Sequence, residues 1–283
     1  MLPSAFVADK SESNPRDVAN AFEAFCKAVV DVVAPLVPAV KPQAAFFEQY
    51  GPLGMQALAN TIAYASAKGL LVVLDGKRND IGSTATAYAK GFLGSNGASV
   101  WGADALTVSP YLGDDSLTPF VDAANERGAG VFILVKTSNK GGALFQDLLV
   151  DGVPLYRKVG AHVAALAKES VEKTGVACGY GNVGAVVGAT WPAQLEELRA
   201  EFPNVWFLVP GYGSQGGGAK DVAGAFDDSG LGAIVNNSRG ILFAYAANEY
   251  KEKFGDARWE AATEAATRDM IAALASETAV GRL

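Results

Sequence analysis

Along most of the chain, short blocks of consecutive aliphatic residues alternate with longer stretches whose apolar side chains recur every three or four positions. The short blocks read as strands buried on both faces and the longer stretches as amphipathic helices. Strands are expected at residues 39–41, 70–75, 105–109, 130–135, 183–188, 205–210 and 233–236. Helical patterns fill 56–68, 117–127, 156–173, 192–201 and 219–227. An earlier helix opens at Asn14-Pro15, with Asn as the cap, Pro at the first helical position and a stripe of Val18, Phe22, Phe25, Val29, Val32 and Val33.

Near-continuous aliphatic strands joined by helical crossovers mean a parallel sheet covered on both sides. The expected fold is α/β, a (β/α)8 TIM barrel forming a single domain over residues 1–283. Seven strands are visible where such a barrel has eight, and the missing one is the first. Residues 7–10, Val-Ala-Asp-Lys, are too short and polar to replace it. The sequence is therefore expected to start about 25–40 residues downstream of a native start, the length of a strand with its approach. As written, the chain is expected to be poorly stable and weakly active, because a barrel without that strand exposes unpaired backbone.

Composition narrows the picture. Half of the 283 residues are hydrophobic, 32 are Gly and only 19% are charged, as suits a compact α/β enzyme. A net charge of −7 argues against general binding to nucleic acid or to an anionic membrane, without excluding a small anionic substrate. Cys26 and Cys178 lie far apart with no paired spacing, so they read as two reduced thiols in packed elements rather than a disulfide or zinc framework. No stretch has the length of a membrane span and no signal-peptide pattern opens the chain, so the cytoplasm is expected.

Polar residues gather where the strands end. The run 70–74 leads into Asp75-Gly76-Lys77-Arg78-Asn79-Asp80. Strand alternation would point Asp75 and Lys77 the same way, with Asp80 following in the turn. A lysine between two carboxylates is held as an ammonium, a proton donor for a carbanion. Counted on an eight-stranded barrel, Lys41 closes the second strand, Ser109-Pro110-Tyr111 the fourth and Thr137-Ser138-Asn139 the fifth. Pro210-Gly211-Tyr212-Gly213-Ser214-Gln215-Gly216-Gly217-Gly218 follows the seventh and Asn237-Ser238-Arg239-Gly240 the eighth. Barrel active sites lie at that face, with phosphate bound after strands seven and eight. Glycine amides can surround phosphate oxygens, and an Arg239 fork can pair two of them. Ser109-Pro110-Tyr111 fits a site segment and a plain turn equally well.

These segments together resemble the orotidine 5′-phosphate decarboxylase family, in its longer bacterial branch. The matching stretches run from about residue 40 to 245 in the family's order. They include Val40-Lys41-Pro42-Gln43, the Asp75–Gly82 run, Ser109–Gly113, Thr137-Ser138-Asn139, Val209-Pro210-Gly211 with Gln215-Gly216-Gly217, and Asn237-Ser238-Arg239. The resemblance implies decarboxylation of orotidine 5′-monophosphate to UMP by a homodimer without metal or organic cofactor. It implies a charged tetrad of Lys41, Asp75, Lys77 and Asp80, with Lys77 giving the proton to C6 of the pyrimidine. It also implies that Asp80 and Thr84 reach across the dimer interface, Thr84 to the ribose. Thr137 or Ser138 would contact the base, and Gln215, Gly216 and Arg239 the phosphate.

Loss of CO2 from C6 leaves a vinyl-like carbanion with no adjacent carbonyl to delocalise it, so stabilisation must come from preorganised charge. The competing readings are a magnesium-dependent sugar-phosphate decarboxylase or synthase on a related barrel, and a truncated, non-catalytic nucleotide-binding barrel. His162, the single histidine, falls in a helix between alanine-rich turns and reads as structural. Residues 139–154 fit either a lid or a surface excursion.

Overall fold

A computed structural model of the chain describes residues 2–6, 14–94, 99–174 and 176–282. The strands are β1 (Ala39–Val40), β2 (Leu71–Arg78), β3 (Ala105–Val108), β4 (Gly130–Lys136), β5 (Leu149–Val150), β6 (Val153–Pro154), β7 (Val183–Val187), β8 (Trp206–Val209) and β9 (Ala233–Val235). The helices are α1 (Pro15–Val33), α2 (Ala45–Glu48), α3 (Gly51–Ala67), α4 (Gly82–Phe92), α5 (Asp114–Arg127) and α6 (Ala143–Gln146). They continue with α7 (Leu155–Thr174), α8 (Pro192–Glu201), α9 (Ser238–Leu242), α10 (Asn248–Lys253) and α11 (Trp259–Glu277). Each of the seven expected strands is present, and the order of strands and helices is that of an α/β fold. The chain forms two compact units. One comprises Met1–Gly76, Trp101–Asp104 and Ser238–Ile271, the other Lys77–Val100, Ala105–Asn237 and Ala272–Leu283.

In the first unit β1 runs parallel to β2, with Ala39 opposite Leu71 and Val40 opposite Val72. The expected cap of α1 is in place: the Asn14 side chain accepts from the amides of Arg16 and Asp17 at 3.0 Å, satisfying two amides that the helix leaves open. The apolar stripe of α1 buries Phe25, Val29 and Val33 against Tyr245 and against Trp259, Ala262 and Ala266 of α11. Before α1 the described residues form a 3-10 turn, Ser4–Phe6, and no strand. The Phe6 ring centre lies 5.5 Å from those of both Phe25 and Trp259, and the Ser4 amide donates to Asp256 at 3.1 Å. Residues 7–10, judged too short for a strand, lie outside the described residues.

In the second unit β3, β4, β7, β8 and β9 pair in parallel in that order. The strands carry fully buried aliphatic faces, as their composition requires: all four residues of β3 and all five of β7 are buried. The β4–β7 register shifts between Leu134 and Lys136, a local bulge after which Lys136, the last residue of β4, stands opposite Val187. Beyond it, residues 139–154 form a 3-10 turn, the single-turn α6, and an antiparallel hairpin of β5 and β6.

Two expectations are corrected. Residues 219–227 form a 3-10 helix, Lys220–Ala225, rather than an α-helix. Asp221 accepts from the Gly218 amide at 2.7 Å at its start, and Gly224 packs against the Glu196 backbone too closely for any side chain. Cys178 is exposed rather than packed, whereas burial and then Glu23 push the Cys26 thiol up to about 12. Among the described residues no helix is long and apolar enough to cross a membrane.

Candidate active site

In the first unit the chain beyond β1 continues alongside the end of β2. The Asp75 amide donates to Pro42 O at 2.9 Å, the Ala44 amide to Asp75 O at 3.2 Å, and Gln43 bridges to Asp75 in parallel. This alignment brings the Lys41 ammonium to 2.6 Å from Asp75 Oδ2, which also accepts from Gln43 Nε2 at 3.2 Å. Both charged side chains are about nine-tenths buried, so neither could stand there alone without a large desolvation cost. Lys41 and Asp75 are therefore brought together as expected. Gln43 is a partner that sequence reasoning left without a role; its position two residues beyond Lys41, on the same extended stretch, was the available signal. Arg239 lies in α9, with its side chain exposed.

The second unit carries Lys77, Asp80 and Thr84. Lys77 is exposed, with φ 45°, a left-handed conformation that L-residues other than Asn and Asp seldom adopt. Pleat alternation therefore does not set its direction, contrary to the strand argument, because the backbone stops being extended at this residue. Its amide is fixed by Thr107 Oγ1 at 2.9 Å, itself buried on β3. Arg78 follows with its guanidinium 4.9 Å from the Phe92 ring centre and 5.9 Å from that of Tyr88. Asp80 accepts from the Ile81 amide at 2.8 Å just before α4, where a carboxylate is favoured by the helix N-terminus. Thr84 lies exposed in the first turn of α4.

The end of β4 separates the two candidates for base contact. Gln146 occupies Thr137 from both sides, accepting from its amide at 3.0 Å and donating to its Oγ1 at 2.8 Å. Trp191 Nε1 donates to Thr137 O at 2.8 Å, and Thr190 Oγ1 to Ser138 O at 2.9 Å. Ser138 and Gln215 instead share one neighbour, Gly211. A side chain added at Gly211 would meet Ser138 Cβ at 2.9 Å and Gln215 Oε1 at 3.4 Å, and the residue has φ 98°, so only glycine fits. The structure thus groups Ser138 with Gln215 and turns Thr137 toward Gln146.

The glycine loop differs from the amide cradle expected for it. The amides of Gly213, Gly216, Gly217 and Gly218 are all satisfied by Gly217 O, Gly213 O, Gly211 O and Asp221 respectively. Gly216, with φ 100°, serves the turn, and the Gln215 side chain beside it is exposed. Burial pushes the Tyr212 hydroxyl above its usual range, so it stays neutral. His162 Nε2 lies 2.9 Å from an Asp114 carboxylate oxygen between α7 and α5.

Residues 16–253 match the model of the orotidine 5′-phosphate decarboxylase / HUMPS family. The orotidine 5′-phosphate decarboxylase of Rhodopirellula baltica is 53% identical over 271 residues, 95% of this chain and 88% of that protein. The OMP decarboxylase structure from Leishmania donovani is 36% identical with a TM-score of 0.68, covering 90% of this chain and 88% of its own. The orotidine 5′-monophosphate decarboxylase structure from Plasmodium berghei is 21% identical. It shares the fold with a TM-score of 0.76 over 96% of this chain and 79% of its own. With both its sequence and its α/β-barrel fold shared with these enzymes, the chain belongs to the orotidine 5′-phosphate decarboxylase / HUMPS family.

Proposed function

We propose that this protein decarboxylates orotidine 5′-monophosphate to UMP, in pyrimidine nucleotide synthesis, as a homodimer using only its own side chains. The observation that carries the reading is the buried Lys41–Asp75 pair, followed two residues later in the chain by Lys77. In the reaction the bond between C6 and the carboxylate breaks, CO2 leaves and the electron pair stays on C6. The Lys77 ammonium stabilises that charge and supplies the proton, so one proton is consumed for each CO2 released. Asp75, paired with Lys41, and an Asp80 contributed across the dimer interface supply the carboxylates that orient this ammonium. Thr84, contributed across the dimer interface, serves the ribose and Ser138 the base, while Gln215 and Arg239 hold the phosphate and Gly216 keeps the turn that carries Gln215. The phosphate supplies binding energy that carries a small base into a site crowded with charge.

The competing function, a magnesium-dependent sugar-phosphate decarboxylase or synthase on a related barrel, needs carboxylates free to hold the ion. The Asp75 carboxylate is already taken by an ammonium and an amide, which disfavours its use as a metal ligand. Loss of the absorbance of orotidine 5′-monophosphate should proceed undiminished in EDTA. Zero turnover by folded protein would overturn the reading, and activity that vanishes in chelator and returns with magnesium would favour the alternative.

A further inference from the structure

The side chain of Lys136, the last residue of β4, is fully buried in the second unit. Its ammonium lies 4.3 Å from the Trp191 ring centre and 5.2 Å from that of Tyr156, and it pairs with Asp147. Asp147 belongs to the excursion after β4, and its own side chain is 43% exposed. A methionine or leucine would fill the same volume without the cost of removing an ammonium from water. What the charge adds is a directed tie between the buried strand end and a surface segment.

At its far end that segment is tied to α7, where Lys158 donates to Asp151 at 3.1 Å. Leu144, Phe145, Leu148, Leu149 and Val150 are all exposed, so burial contributes little to its placement. Its polar ties to β4 are made by two successive residues: Gln146 to Thr137 and Asp147 to Lys136. Trp191 couples the two, since its ring faces the Lys136 ammonium while its Nε1 donates to Thr137 O. Ser138 comes next in the chain and lies against Gly211, which Gln215 also adjoins. Lys136 is where the ladder ends: past the β4–β7 register shift it stands opposite Val187 and its carbonyl accepts from the Gly188 amide at 2.7 Å, and Thr137 and Ser138 follow beyond the paired strand.

We infer that Lys136 and Asp147 are a positioning pair: by tying residues 146–147 to the end of β4 they set the backbone of Thr137-Ser138 for recognition of the nucleobase. The pair touches no substrate atom, and its effect on ligands rests on the proposed nucleotide reading. It should govern the base-binding end of the site and leave the phosphate-binding end alone.

The test uses Lys136→Met, which keeps the buried volume, and Asp147→Asn, which keeps the shape if the first variant folds poorly. Hydrogen exchange on the ligand-free protein should show amides 137–148 at least tenfold less protected in either variant, with β7 and β8 unchanged. Binding should then be measured with UMP and with ribose 5-phosphate, which carries the phosphate and no base. UMP should weaken tenfold or more while ribose 5-phosphate changes less than twofold, and Asp147→Glu should recover most of the difference. A uniform loss of both ligands, or unaltered exchange at 137–148, would overturn the positioning role. If the unaltered protein binds UMP no better than ribose 5-phosphate, the nucleotide reading fails, and the exchange result still decides whether the pair fixes this segment.

Discussion

At the scale of single residues, Lys77 is the group on which the chemistry is expected to turn. Replacing it with alanine removes the proton donor but none of the proposed phosphate contacts. Lys77→Ala should therefore lower turnover by at least a thousandfold while UMP inhibits with nearly unchanged strength; general acid catalysis and charge stabilisation together have that scale. Substantial residual activity would take Lys77 out of this role. Arg239→Ala should act in the opposite way, weakening UMP by about 1.5–3 kcal/mol, the scale of charge-assisted hydrogen bonds. Inhibition by UMP that stays as strong as before would place the phosphate elsewhere. Much at this scale was legible in the chain. Lys41 and Asp75 were legible as strand ends and were grouped through the family resemblance; parallel strands in register then bring the two ends together. The direction of Lys77 was not legible, since its left-handed backbone is fixed by Thr107 of another strand. Nor was the separation of Thr137 from Ser138, which depends on Gln146, an unremarkable residue until the excursion folds back.

At the scale of elements, the strands were readable because burial on both faces leaves an unbroken aliphatic signature. Helices without that contrast were missed: α4 is rich in Gly, Ala and Thr, and α11 in Ala, so neither shows a strong stripe. The segment 219–227 was read as a helix from its spacing, but its conformation is dictated by pins at both ends. One of these, Asp227, gives a test of how the loop before β9 is held. Burial alone would raise its carboxyl, but hydrogen bonds from Ser229, Tyr180 and the backbone of Leu231 and Ser229 outweigh it and hold it at about 2. A carboxyl lowered in the folded state contributes stability above its unfolded pKa of about 4, lost as pH falls toward the folded value. Partial solvent exposure reduces the contribution to roughly 1 kcal/mol. Thermal melts should therefore show a loss of stability between about pH 4 and pH 2 that is smaller in Asp227→Asn. An identical pH profile in the variant would show that these hydrogen bonds contribute nothing.

At the scale of the whole molecule, Asp80 and Thr84 raise the question of which subunit they serve. Asp80 lies just before α4, accepting from the Ile81 amide, and Thr84 is exposed on the helix's first turn. A two-fold interface is self-complementary, and a residue that serves the neighbouring site on one side must do so on the other. This makes the proposed arrangement testable by mixing two inactive proteins, Lys77→Ala and Asp80→Ala, under conditions that exchange subunits. If Asp80 completes the partner's site, a mixed dimer has one site with both lesions and one with neither. Random exchange of equal amounts makes half the dimers mixed, so about a quarter of all sites should be intact. If Asp80 instead serves its own subunit, each site of the mixed dimer carries one lesion and activity stays at the level of the parents. Mass measurement of intact dimers would verify exchange. Recovery toward a quarter of the unaltered activity is the expected result, and no recovery in a verified mixture would return Asp80 to its own subunit's site.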